Sequence, residues 1–316
     1  GSYCVFAHHE FRYLGDSGLL FSRLSFGSFV NVTEDFGVDA VLNKKRIAQG
    51  IWAREDLVFS IKTCVGTETN PGPNNQGLSR KHLVEGTKAS SKRMQLDYVD
   101  AIYCHRPEAS TSIDETVRAM SFIIKQDWAL NWGTSEWTSD DIIKAFELAD
   151  HLGLIRPVTE QPQYHILECT KVEYDYVNLY SKNYRPGLTT WPPLTYGILS
   201  GKYTQGIPKE GSRLSDLEVG RSYQTSTPAS PRLKSSKLSP RNSRSRCRSS
   251  RSPGASPMRT CRTSSAAQLE QNLQAAQFVP LITPQVKQQI DELAQFQPTL
   301  PIKPHAITFV RKRHLA

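Results

Sequence analysis

Short apolar runs, each closed by a polar or aromatic residue, recur along the middle of the chain. Leu57–Ile61 ends in Lys62, Tyr98–Cys104 in His105-Arg106, Ala129–Trp132 in Gly133-Thr134-Ser135, Val158–Glu160 in Gln161, and Leu188–Thr190 in Trp191. Runs of this length, bounded by turn residues, read as buried strands. Between them the apolar spacing changes to that of helices. One helix is expected from Ser79 to about Leu96, after the turn-rich Asn70-Pro71-Gly72-Pro73-Asn74-Asn75. A second opens at Ser112, with Glu115 three residues on, and carries Val117, Met120, Ile123 and Ile124; a third opens at Thr138, with Asp141 in the same relation, carries Ile142, Ile143, Phe146 and Leu148, and stops at Gly153. A hydroxyl followed three residues later by a carboxylate is the signature of a capped first turn. Near the end, Thr283-Pro284 starts a helix with an apolar stripe of Val286, Ile290 and Leu293.

Strands and helices alternating at these spacings predict βαβ units and a parallel sheet. In a βα barrel the chemistry sits at the C-terminal strand ends. The segment Asp100–Pro107 places a histidine and an arginine at one such end, and the other runs end in polar or aromatic groups in register with it. Cys104 beside His105 is not read as a nucleophile, because neighbours on a strand point to opposite faces. Trp132 and Trp137 are read as packing residues.

Composition narrows the setting. The 316 residues suffice for one large α/β domain. Six cysteines stand singly at 4, 64, 104, 169, 247 and 261, a pattern that fits neither a disulfide framework nor a zinc site, so a reducing, cytoplasmic location is expected and no metal. No apolar run approaches a membrane span, no signal peptide is read at the start, and a first residue other than Met is what a fragment would show. The net charge of +9 suggests a nucleic-acid partner until its location is considered. Residues 221–263 hold nine Arg and two Lys with no Asp or Glu, a local +11 that leaves the rest of the chain at −2. Nucleic-acid binding therefore rests on one Ser/Arg/Pro tract and is not expected of the folded part. The final Arg311-Lys312-Arg313-His314 reads as a solvated tail.

Seven ordered motifs carry a resemblance. Phe11-Arg-Tyr-Leu-Gly-Asp-Ser-Gly18, Gly77-Leu-Ser-Arg-Lys-His-Leu83, Leu96-Asp-Tyr-Val-Asp100, Asp114-Glu-Thr-Val-Arg-Ala-Met120, Trp132-Gly-Thr-Ser-Glu-Trp137, Glu160-Gln-Pro-Gln-Tyr164 and Gly197-Ile-Leu-Ser-Gly-Lys-Tyr203 together resemble the aldo-keto reductases of the voltage-gated potassium channel β-subunit type. The likeness covers residues 11–35, 46–220 and 264–296. It implies a TIM-type (β/α)8 barrel, a single NADP-dependent oxidoreductase domain over 11–296 interrupted at 221–263, and a tail over 297–316. It also implies NADPH as cofactor, a small aldehyde or ketone as substrate, and a channel subunit or a second copy as partner.

Family chemistry uses a tyrosine as proton donor, a lysine that lowers its pKa, an aspartate paired with the lysine, and a histidine that orients the carbonyl. Hydride delivered to a carbonyl carbon leaves an oxyanion that needs a positioned acid. Lys62 matches the lysine and His105 the histidine. Channel β subunits of animals usually carry asparagine at the latter position, so His105 favours a reductase over a purely accessory subunit. The resemblance assigns Ser135 and Gln161 to the nicotinamide carboxamide and Trp191 to stacking on its ring. Leu194, Gly197, Ser200 and Lys202 are assigned to the pyrophosphate. Arg213, Ser264, Gln268, Gln271 and Asn272 are assigned to the adenosine and its 2′-phosphate, with Ser28, Phe29, Glu136 and Pro193 completing the cofactor site.

Two departures stand against this likeness. Only about 20 residues separate Glu34 from Asp56, where the family places a helix, a strand carrying both the aspartate and the tyrosine, and a second helix. Tyr103 faces the same way as His105 but one layer deeper, too deep to replace the missing donor. The second departure is the Ser/Arg/Pro tract. Written in codons and read one base earlier, Cys247–Thr263 becomes Leu, Val or Met followed by Pro-Gln-Leu-Ala-Leu-Ala-Trp-Cys-Ile-Ala-Asn-Glu-Asn-Val-Ser-Asn, which resembles the family helix preceding the last strand. A shifted reading frame is the simplest account, and six of eight strands are expected to remain. Such a chain is read as an impaired reductase or, alternatively, as a non-catalytic regulatory channel subunit that senses redox state through NADPH.

Overall fold

The computed structural model describes residues 11–26, 49–50, 53–64, 72–181, 184–200, 203, 258–261, 271–272, 274–275, 278, 281–294 and 296–298. Two short strands, β1 (Phe11–Tyr13) and β2 (Leu20–Ser22), pair antiparallel as a hairpin. The main sheet contains β3 (Leu24–Phe26), β4 (Ser60–Thr63), β5 (Val99–Cys104), β6 (Ala129–Thr134), β7 (Thr159–Glu160), β8 (Gly187–Thr190) and β9 (Met258–Cys261). Their order is β3-β9-β8-β7-β6-β5-β4, and every neighbouring pair is parallel. The α/β character and parallel sheet agree with the barrel expected. Among the described residues the barrel is not closed, since β3 and β4 stand at opposite ends of the strand order.

One of the two expected gaps is bridged. Met258–Cys261, from the basic tract, lies between β3 and β8, the position of a barrel's last strand. Flanking strands offer unpaired N–H and C=O groups, which an extended segment of almost any side-chain composition satisfies. The remainder of 221–263, the tail at 301–316 and the departure between residues 35 and 48 lie outside the described residues.

The helices α1 (Arg80–Met94), α2 (Ile113–Lys125) and α3 (Ser139–His151) start where the capping signals place them. Ser79 accepts from His82 N at 3.3 Å, Ser112 from Glu115 N at 3.1 Å and Thr138 from Asp141 N at 3.2 Å, each satisfying an otherwise orphaned N–H. Two further helices are α4 (Val177–Ser181) and α5 (Pro284–Ala294). In α5, Val286 and Ile290 pack with Ile166, Leu167 and Leu199, whereas Leu293 is exposed. The stripe is thus narrower than expected.

The main core lies between sheet and helices. Ile61, Ile102, Trp132 and Leu188 point outward from the strands onto Leu83, Val117, Met120, Ile123, Ile142 and Phe146. Trp132 and Trp137 are both fully buried, as expected of packing residues. The hairpin seats against the N-terminal ends of β7 and β8 through glycine. Gly15 has φ +59, and a Cβ there would fall 2.5 Å from Gly187 N and 2.8 Å from Val158 O.

Candidate active site

Register decides which side chains meet inside the sheet. Lys62 pairs with Tyr103, Tyr103 with Gly133, Gly133 with Thr159 and Thr159 with Gly187, so one row of residues crosses five strands. β4 is anchored at its start, where Asp100 accepts from Arg54 Nη2 at 2.9 Å and from Phe59 N at 2.7 Å. Its side chains alternate, with Ile61 and Thr63 in the core and Ser60 and Lys62 exposed on the inward face beside the open seam.

Lys62 is open to solvent at the end of the sheet order and surrounded by protein elsewhere. That burial lowers its pKa to about 8, assisted by the nearby Arg106 charge and opposed by Glu136 and Glu160. Its Nζ donates to Gln161 Oε1. Gln161 Nε2 donates in turn to Thr189 Oγ1 at 3.1 Å, and Thr189 Oγ1 lies 3.2 Å from the Tyr103 hydroxyl. Tyr103 is fully buried, which raises its pKa, and its hydroxyl is bonded to Thr189 rather than to Lys62. The deeper placement read from sequence is what the strand register produces.

His105 and Arg106 follow the end of β5. Burial, then the charges of Lys62 and Arg106, lower the His105 pKa to about 3, so the imidazole is neutral at neutral pH. Arg106 Nη1 pairs with Glu136 Oε2 at 3.3 Å, and its guanidinium sits 5.6 Å from the centre of the Trp191 ring. Glu136, in left-handed backbone with φ 61, is a shared acceptor. Trp191 Nε1 donates to it at 2.9 Å, Gln163 N also donates to it, and Lys171 Nζ lies 3.8 Å from its Oε2. Its carboxylate is thus turned into protein.

Ser135 and Gln161 lie side by side. Ser135 Oγ donates to Gln161 O at 2.8 Å, and Gln161 N donates to Thr134 O at 2.8 Å. Behind them Glu160 is fully buried, accepting from Thr134 Oγ1 and from Tyr176 OH, and burial raises its pKa to about 7. After Trp191 the chain makes a tight turn. Pro193 is buried and Leu194 half-buried, Thr195, Tyr196 and Gly197 have φ of 49, 54 and 97, and Ser200 Oγ donates to Gly197 O at 2.6 Å. Positive φ is unfavourable for β-branched Thr195, whose buried Oγ1 also has no partner.

Lys62, His105, Ser135, Gln161 and Trp191 therefore converge at the ends of consecutive strands. Gln271 and Asn272 lie on a short helical stretch, exposed and half-buried respectively, while Ser28, Phe29, Lys202, Arg213, Ser264 and Gln268 lie outside the described residues. Sequence reasoning left out Thr189 and Lys171, and it noted Arg106 without giving it a role. Arg106 was findable, because it directly follows the strand-end histidine. Thr189 and Lys171 carry no local signal, since their partners are 28 residues or more away in sequence.

Chemically, the constellation offers one lysine of depressed pKa, one neutral imidazole and a fixed amide at the strand ends. The family model for the aldo/keto reductase family matches residues 41–295. A protein of Arabidopsis thaliana described as "Probable voltage-gated potassium channel subunit beta" is 39% identical over 330 residues, covering 92% of this chain and 98% of that protein. One of the same description from Oryza sativa subsp. japonica is 36% identical over 328 residues, with the same shares covered. Both alignments are longer than the 316 residues of this chain, so they include positions it lacks. The strand-end constellation, the parallel α/β sheet and these matches lead to one conclusion: the chain belongs to the aldo/keto reductase family.

Proposed function

We infer that this protein is, by descent, an NADPH-dependent reductase of small aldehydes and ketones whose catalytic step is impaired. The observation that carries this reading is the pair Lys62 and His105 on adjacent strand ends, a depressed lysine facing a neutral imidazole. Such a pair can polarise a carbonyl oxygen, with the lysine mainly charged at pH 7 and the imidazole neutral. When bound, the nicotinamide supplies the hydride. Ser135 and Gln161 would hold its carboxamide, with Trp191 beside the ring. The donor set fits that group with one exchange, in which Gln161 releases Lys62 to take the carboxamide. Tyr103 does not supply the acid, because its hydroxyl is buried and bonded to Thr189.

Fluorescence titration with NADPH and NADH is the first test. Measurable binding that favours NADPH is expected, and equal affinity would remove Arg213 as a ligand of the 2′-phosphate. NADPH oxidation with 4-nitrobenzaldehyde is the second. Because positioned general acids contribute about 10²–10⁴ in rate, turnover is expected to be very slow or undetectable, and full activity would overturn the impairment.

The buried Tyr103 also favours a second reading, in which the chain is a cytoplasmic regulatory subunit that binds NADPH and assembles with a voltage-gated potassium channel, as the descriptions of its relatives suggest. Retention of the chain by the cytoplasmic part of such a channel, strengthened or weakened by NADPH against NADP, would support that role. No retention in either state would remove it.

A further inference from the structure

Charge at the strand ends is unbalanced. Lys62, Arg106 and Lys171 gather around Glu136, whose carboxylate also accepts from Trp191 Nε1 and the Gln163 amide. The second acid nearby, Glu160, is held behind the strand by Thr134 and Tyr176. One carboxylate shared among so many donors leaves the mouth of the site positive. Lys171 is not available to a ligand, because its ammonium donates to the carbonyls of Glu136 and Trp137 at 2.8 and 3.0 Å. Arg106 differs. Its nearest approach to Glu136 is Nη1 to Oε2 at 3.3 Å; its side chain is 25% exposed, and Trp191 lies against the guanidinium. A guanidinium carries five N–H donors in a fixed plane, and the fork matches a carboxylate.

Arg106 is also next in sequence to His105, the group expected to orient a carbonyl. We propose that Arg106 is a carboxylate-binding subsite, so that the site selects carbonyl compounds carrying an anionic group over neutral aldehydes. This rests on the reading of the strand ends as a carbonyl site. The ion pair with Glu136 and the contact with Trp191 hold the guanidinium in place, and an incoming carboxylate takes the donors they leave.

Calorimetric titration of the full chain with 4-carboxybenzaldehyde, benzaldehyde and benzoate tests the assignment. The expected result is binding of 4-carboxybenzaldehyde about tenfold or more tighter than benzaldehyde, weakening with added salt. Arg106→Gln removes the difference between the two aldehydes, and Arg106→Lys, which keeps the charge but loses the fork, retains part of it. Equal binding of the two aldehydes, or a preference that survives Arg106→Gln, overturns the proposal. So does an absence of Arg106-dependent binding by either carboxylate. Benzoate separates the two readings: if it binds through Arg106 as tightly as 4-carboxybenzaldehyde, the carboxylate subsite stands and the carbonyl site falls.

Discussion

Glu160 shows how a single buried group shapes the behaviour of this protein. Burial raises its pKa from 4.5 to about 7, so between those values the native state keeps a proton that the unfolded chain has lost. Stability contributed here declines as pH climbs through that window, and the full cost is present above pH 7. Glu160→Gln removes the titration while keeping a group able to bond Thr134 and Tyr176. It should raise stability at pH 8 by an amount on the order of 3 kcal/mol and by much less at pH 5, read from denaturant midpoints at the two pH values. His105 and His165 act oppositely. Both have folded pKa values of about 3 against 6.5, so the unfolded state takes up their protons first and stability falls as pH drops below 6.5. In the variant this acid-side loss is no longer offset, and its stability profile should slope more steeply between pH 5 and 6.5 than that of the parent.

Strand packing sets the next scale, and Gly133 shows what it requires. A Cβ at this position would fall 2.4 Å from both the Cγ2 and the carbonyl oxygen of Thr159, so Gly133→Ala must push β7 away from β6. A cost of about 1–3 kcal/mol is expected. Since β7 leads directly into Gln161, NADPH affinity should fall with it, whereas Gly18→Ala, with open space around it, should leave both unchanged. Local signals made most of these elements legible in the sequence. Ser112 and Thr138 cap their helices because the bond they make lies within one turn, and the strands from β4 to β8 were read from short runs that each end at a polar or aromatic residue. The Lys62–Gln161–Thr189–Tyr103 chain was not legible, because it depends on strand register. β9 was illegible for a different reason: its residues carry no strand pattern, and its neighbours' unpaired backbone supplies the reason to extend.

At the scale of the whole molecule, the unclosed seam between β3 and β4 links stability to chemistry. Closure removes sheet edges, and strand number, tilt and shear must agree for it to occur. Among the described residues seven strands leave β4 at the end of the sheet order, with Ser60 and Lys62 exposed where a barrel would bury them. Exposed edges pair with other chains, so the protein as it stands should melt broadly or aggregate when heated and followed by circular dichroism. Supplying the segment that the family places between Glu34 and Asp56, together with the in-frame version of residues 221–263, should bring two gains at once. A single cooperative melt should replace the broad one, because β4 acquires a neighbour. NADPH oxidation with 4-nitrobenzaldehyde should rise by about 10²–10⁴, because the added strand brings an aspartate for Lys62 and a tyrosine as acid, and Lys62 need no longer bond Gln161. His105→Asn in the restored protein should lower that rate again without changing the melt. A restored protein that melts sharply but stays inactive would place the defect in the strand-end residues themselves rather than in the seam. Activity in the unrestored chain would mean that a residue already present, Tyr103 first among them, reaches the carbonyl after a rearrangement of the Thr189 bond.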